Sequence, residues 1–143
     1  MPKSTTFSND LSALIFNGTA ISNIADNASS APLSNLYLSL HTSTPGIGGS
    51  QTTNETSYTN YTRVAVARTS GGWTVSSGAA TNAALIQFPQ CGASGATITH
   101  VAIGTASSGT GKVLYAGALS SSLAVANLIQ PQFAINALTA TES

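Results

Sequence analysis

The chain has 143 residues, a formal net charge of zero and only 6% charged residues, against about 25% in an average soluble domain. That length fits one domain with a real core, and four basic residues spread from Lys3 to Lys112 make no phosphate-binding patch, which argues against nucleic acid as a partner. A single cysteine, Cys91, excludes an internal disulfide, and no apolar run is long enough to suggest a membrane span.

From the N-terminus, Phe7, Leu11, Leu14 and Ile15 recur at helical spacing, Thr5 or Thr6 is placed to cap, and Asn17-Gly18 supplies a stop. The spacing predicts a short amphipathic helix over 6–17, marginal alone, whose apolar face needs a sheet or a neighbouring subunit. Thr19 to Ser34 mixes small and polar residues and reads as an arm-like loop. Residues 1–34 are therefore expected to form a helix and arm, and 35–143 a β-sandwich domain. The short run Leu11 to Phe16, preceded by Asn9 and Asp10, does not make a secretory signal, so synthesis and folding in a cytoplasm are expected.

Leu36, Leu38 and Leu40 alternate with Tyr37, Ser39 and His41, the cleanest strand pattern in the chain. Thr44-Pro45-Gly46 ends it, and Ile47 to Ser57 predicts a loop long enough to reach outward. Tyr58 to Arg68 reads as the next strand. Val64 and Val66 on one face and Ala65 and Ala67 on the other suit a strand covered on both sides, hence central or at an interface. Arg63 and Arg68 bracket its apolar run. Exposure statistics make them solvated strand-end charges. Guanidinium chemistry also fits them to a carboxylate or to carbonyls of another chain. Tyr58 and Tyr61 share this stretch and, with Phe7, Leu11, Arg63 and Arg68, are the candidate interface residues.

Ser70-Gly71-Gly72 reads as a hairpin turn into Trp73–Ser76, and further strands are predicted at 84–88, 97–104, 112–117, 119–126 and 132–141. About eight short strands without long helices predict an all-β, antiparallel β-sandwich, jelly-roll-like, with a short N-terminal helix and arm. The expected core is Leu36, Leu38, Leu40, Val64, Val66, Trp73, Val75, Ile86, Phe88, Ile98, Val101, Ile103, Val113, Tyr115, Phe133 and Ile135.

No chemistry rises from the motifs. There is no Gly-x-Ser-x-Gly elbow, only four acidic residues are present, and His41, His100 and Cys91 lack metal-ligand spacing. The expectation is no enzyme, no cofactor and no metal. Tyr37, Tyr58, Tyr61, Trp73 and Tyr115 suit a core and its rims, and they also leave glycan stacking open.

Pro32-Leu-Ser-Asn-Leu-Tyr-Leu-Ser-Leu-His-Thr-Ser-Thr-Pro-Gly46, Tyr58-Thr-Asn-Tyr-Thr-Arg-Val-Ala-Val-Ala-Arg68, Gly72-Trp-Thr-Val75, Thr97-Ile-Thr-His-Val-Ala-Ile-Gly-Thr105 and Gly111-Lys-Val-Leu-Tyr-Ala-Gly-Ala-Leu119 follow one another in an order that resembles a family of small virion structural proteins of tailed bacteriophages. Members include capsid decoration or cement proteins and tail-fibre components, and the cement proteins of Bordetella-infecting podoviruses are similar in being small oligomeric jelly rolls. The resemblance implies a capsid decoration (cement) protein on the outer capsid surface, with the major capsid protein and further copies of itself, as dimer or trimer, for partners. The alternative it carries is a tail-fibre or spike module that binds a host-surface glycan or receptor. It brings no catalytic residues.

Overall fold

The computed structural model describes residues 4–21 and 32–141. It is an all-β, antiparallel fold with one N-terminal helix, and the described residues hold nine strands. The arm expected over 19–34 falls mostly outside the described residues. Contacts divide the chain into two compact units, Met1–Asn35 with Ala67–Ile86 and Phe133–Ser143, and Leu36–Val66 with Gln87–Gln132.

In the first unit the helix α1 runs Thr5–Asn17. The cap is Ser4, one residue before the expected threonines: in extended backbone its hydroxyl accepts from the Phe7 N–H at 3.2 Å. Gly18 takes the left-handed conformation at φ 65° that ends the helix, as the Asn17-Gly18 pair suggested. The buried stripe is Ser8, Ser12 and Phe16, spaced by four, while Phe7 is 38% exposed and Leu11, Leu14 and Ile15 are only half-buried. Small serines let the helix axis come close to the sheet. The Ser12 hydroxyl donates to the Gly78 carbonyl at 3.1 Å, and the Phe16 ring lies 4.7 Å from that of the fully buried Trp73.

That sheet has the order β3 (Trp73–Ser76), β4 (Ala79–Asn82), β9 (Thr139–Thr141). The hairpin is β3 to β4, across Ser77 and Gly78, both at positive φ (52° and 75°), the two-residue turn whose twist matches its strands. The sequence reading placed a hairpin at Ser70-Gly71-Gly72 instead; the strands on either side of those residues belong to different sheets. Asn82, fully buried, donates to the Ala84 and Ala134 carbonyls at 2.8 Å and accepts from the Leu138 N–H at 2.9 Å, which shapes the turn into β9.

In the second unit the sheet order is β2 (Val64–Ala67), β1 (Asn35–His41), β6 (Ala96–Gly104), β7 (Val113–Val125). The leucine-rich strand β1 is the covered one: Leu36, Leu38, Ser39, Leu40 and His41 are all buried. The stretch 58–68 is not one long central strand. Only 64–67 is extended; Asn60 turns at φ 77°, and β2 is a four-residue edge strand with Ala65 and Ala67 exposed. The strands expected at 112–117 and 119–126 are one, β7, in which the four residues Leu119 to Ser122 stand opposite the single Thr99 of β6. This is a special bulge, larger than the usual two residues against one. The strand expected over 132–141 is two, β8 (Gln132–Phe133), paired with β5 (Ile86–Gln87), and β9, with Asn136 turning between them at φ 62°. Ten of the sixteen expected core residues are buried, whereas Ile135 is 58% exposed because it lies in that turn.

Candidate functional site

The second unit concentrates its ionic and aromatic chemistry between Glu55 and Arg63. Arg63 precedes β2, and its side chain is 3% exposed. Its Nε and Nη2 donate to the two Glu55 carboxylate oxygens, each at 2.7 Å, the planar fork of a two-pronged pair. The remaining reach goes to a loop: Nη1 to the Ala106 carbonyl at 2.9 Å and Nη2 to the Gly109 carbonyl at 2.8 Å. Hydrogen bonding to Glu55 raises the Arg63 pKa further above its ordinary value. The Tyr61 hydroxyl donates to Glu55 Oε1 at 2.9 Å and accepts from the Leu40 N–H at 3.0 Å. Burial, with the Glu55 carboxylate beside it, pushes that phenol well above its ordinary value.

Tyr61 also stacks on Phe88, with ring centres 6.3 Å apart, and meets Tyr58 edge-on at 5.2 Å. Tyr58 is buried, donates to the Pro89 carbonyl at 2.8 Å, and has its phenol pushed up to about 12 by that burial. The loop 105–111 is held from its other side by Gln51. That buried amide accepts from the Ala106 N–H at 2.9 Å and donates to the Tyr37 carbonyl at 3.2 Å. A Cβ on Gly104 or Gly111 would collide with the Gln51 side chain, so these two glycines create its slot. The loop 47–57, expected to reach outward, is therefore pinned at Gln51 and again where Glu55 bridges to His41, while Ile47 stands fully out.

His41, expected at a strand end facing a loop, is fully buried. Its Nδ1 lies 2.9 Å from the Thr53 carbonyl, which can only accept, so Nε2 accepts from the Ser39 hydroxyl at 2.8 Å. Burial holds its pKa below the ordinary 6.5.

A cleft of about 510 Å³ opens over this cluster, lined by residues 55–63 and 107–109. Its walls carry Ser57, Thr59, Asn60, Thr62, Ser107 and Ser108, and the buried Thr56 hydroxyl beneath them has no hydrogen-bond partner. Arg63 already directs four of its five N–H donors to Glu55, Ala106 and Gly109, so the cleft offers hydroxyl and amide groups rather than a free charge. Such a surface suits a neutral, hydrogen-bonding ligand better than an anion.

The six candidate interface residues are thus divided between the units. Tyr58, Tyr61 and Arg63 form the cluster above, with their polar groups satisfied inside the chain. Arg68 belongs to the first unit and is half-buried. Its guanidinium donates to the Leu14, Ile15 and Leu33 carbonyls, each at 2.7 Å. It caps the C-terminal end of α1, where a cation also meets the negative end of the helix dipole. Leu11 and Phe7 lie on the half-open side of α1. Glu55, Gln51 and the glycines of the 105–111 loop were missed, although Glu55 is the nearest acidic residue in sequence to Arg63.

Among the described residues no three His, Cys, Asp or Glu side chains gather at a metal-binding distance. No helix of the described residues is long and apolar enough to cross a membrane. The Cys91 thiol is buried, with the Gly92 and Ser94 carbonyls within 3.5 Å.

No curated protein matches the chain. A family model, podophage GP4 fiber I protein gp80, matches residues 2–141. That match spans nearly every residue described above, strands and candidate cleft alike. The chain belongs to the family of the podophage GP4 fiber I protein gp80 and is a bacteriophage virion structural protein.

Proposed function

We propose that this chain is a fibre module of a podophage virion: a non-catalytic domain, present in few copies, that holds or presents a fibre rather than covering the shell. Family membership over 2–141 carries this reading. The cleft above Glu55 and Arg63 is compatible with it, since neutral hydroxyl and amide walls suit a host-surface glycan. The capsid-cement reading rests on the likeness of the strand and turn order to decoration proteins. One measurement separates the two. Quantitative staining of purified virions, scaled to the major capsid protein, returns a few to a few tens of copies for a fibre module. Hundreds of copies would overturn the fibre reading and put the chain on the capsid surface.

A further inference from the structure

The cleft over Glu55 and Arg63 has a chemistry specific enough to narrow its ligand. A carboxylate offers about four lone-pair sites. Oε1 of Glu55 accepts from Arg63 Nε and from the Tyr61 hydroxyl, whereas Oε2 accepts from Arg63 Nη2 alone. Oε2 therefore keeps acceptor capacity, on a side chain that is 15% exposed and lines the cleft. The matching cation is withheld. The Arg63 side chain is 3% exposed, and among the described residues no other lysine or arginine lines the cleft. Around the carboxylate stand groups that both give and accept. The exposed Asn60 amide makes one long bond, 3.4 Å from Nδ2 to the Gln90 carbonyl, and its Oδ1 has no partner among the described residues. Ser57, Thr62, Ser107 and Ser108 are exposed on the walls.

We infer that this cleft binds an uncharged sugar by its hydroxyl edge, one hydroxyl donating to Glu55 Oε2 and others exchanging hydrogen bonds with the Asn60 amide and the wall hydroxyls, and that it rejects acidic sugars. The inference rests on the glycan-facing reading of the cleft given above and names the class of sugar. A sugar hydroxyl can donate to a carboxylate and accept from an amide, as these walls require. An acidic sugar would set its own carboxylate against Glu55 with no exposed cation in the cleft to offset it, and like charges brought together are strongly disfavoured. A protein segment fits less well. Protein contacts are anchored by aromatic and apolar side chains in pockets, but Tyr58 is buried and the Tyr61 ring is engaged by Phe88 and Tyr58. The same engagement removes an open aromatic face for stacking. A single site is therefore expected to bind weakly, with a dissociation constant on the order of millimolar, and firm attachment draws on several copies in one virion.

The test is a nuclear magnetic resonance titration of the isotope-labelled full chain with the methyl glycosides of glucose, galactose, mannose, rhamnose and N-acetylglucosamine. At least one is expected to give saturable shifts confined to the amides of 55–63 and 107–109. Glucuronic and galacturonic acids should bind at least about tenfold more weakly. Asn60→Gly keeps the left-handed backbone at φ 77° while removing the amide, and should weaken the sugar about fivefold with the fold unchanged. Glu55→Gln should weaken the neutral sugar and narrow the gap to the uronic acids; because it also breaks the Arg63 pair, the Asn60 variant carries the test where it does not fold. No response to any of these glycosides at about 100 mM, equal binding of the uronic acids, or indifference to Asn60→Gly would each overturn the inference. So would an equal response to an uncharged Ser-Asn-Gly peptide, which would assign the cleft to a protein partner. A fibre-like copy number without a sugar response removes this inference alone, and hundreds of copies with a sugar response remove the fibre reading alone.

Discussion

Arg63 and Glu55 meet fork to fork, two N–H···O bonds of 2.7 Å with the guanidinium almost wholly out of solvent. Eight residues apart in sequence, they tie the start of β2 to the end of the 47–57 loop. Through Ala106 and Gly109 the same guanidinium holds the 105–111 loop. Removing one partner of such a pair leaves an uncompensated buried charge. Arg63→Ala is therefore expected to cost about 3–5 kcal/mol, and Arg63→Lys most of that, because an ammonium cannot reproduce the fork. Urea denaturation of the two variants measures both. A loss within about 0.5 kcal/mol would mean that the pair is ordinary surface charge.

Arg68 should behave differently, because its three acceptors are carbonyls and it is half-exposed. Arg68→Ala is expected to cost about 1.5–3 kcal/mol, the range for hydrogen bonds to a charged group. The loss should concentrate at the C-terminal turn of α1. Amide hydrogen exchange resolves this: faster exchange at 14–18 with β6 unchanged is the expected pattern, and uniform acceleration would contradict a capping role.

His41 makes stability depend on pH with a defined sign. Burial lowers its pKa in the folded chain below the ordinary 6.5. The Thr53 carbonyl and Glu55 oppose that shift, while Arg63 and His100 add to it. The unfolded chain thus takes up a proton at a higher pH than the folded one. The contribution of neutral His41 is fully present above the unfolded value and is lost as pH falls from there toward the lower folded value. Urea midpoints should drop as pH falls through the ordinary histidine value of about 6.5, and His41→Gln should flatten that slope. An unchanged slope in the variant would assign the effect to other groups.

Gln51 fills a slot that exists only because residues 104 and 111 lack side chains. Gly104→Ala or Gly111→Ala should displace it from Tyr37 and Ala106 and cost about 1–3 kcal/mol, as overpacking does. Thermal unfolding of each variant checks this. If Gln51→Ala in the Gly104→Ala background recovers stability, the clash is the cause.

The helix, its glycine stop and the leucine alternation of β1 were legible in the sequence, because caps, stops and period-2 patterns act over a few residues. So were the all-β class and ten of the core side chains, since apolar alternation reports which residues seek burial. Periodicity names a face but not a neighbour. It could not show that β1 is covered on both sides while β2 lies at an edge, or that Val113 to Val125 is one strand with a four-residue bulge. The Ser77-Gly78 turn had a readable dipeptide signal, outcompeted by the neighbouring Gly71-Gly72. The buried face of α1 is turned by one residue from the expected one because close packing against β3 and β4 favours small serines over leucines, a preference set by the sheet and not by the helix. The partners of Arg63 and Arg68 lay furthest from reach. A guanidinium announces that it needs acceptors, but Gly109 is 46 residues from Arg63 and Leu14 is 54 from Arg68, and only the folded chain decides which carbonyls arrive there.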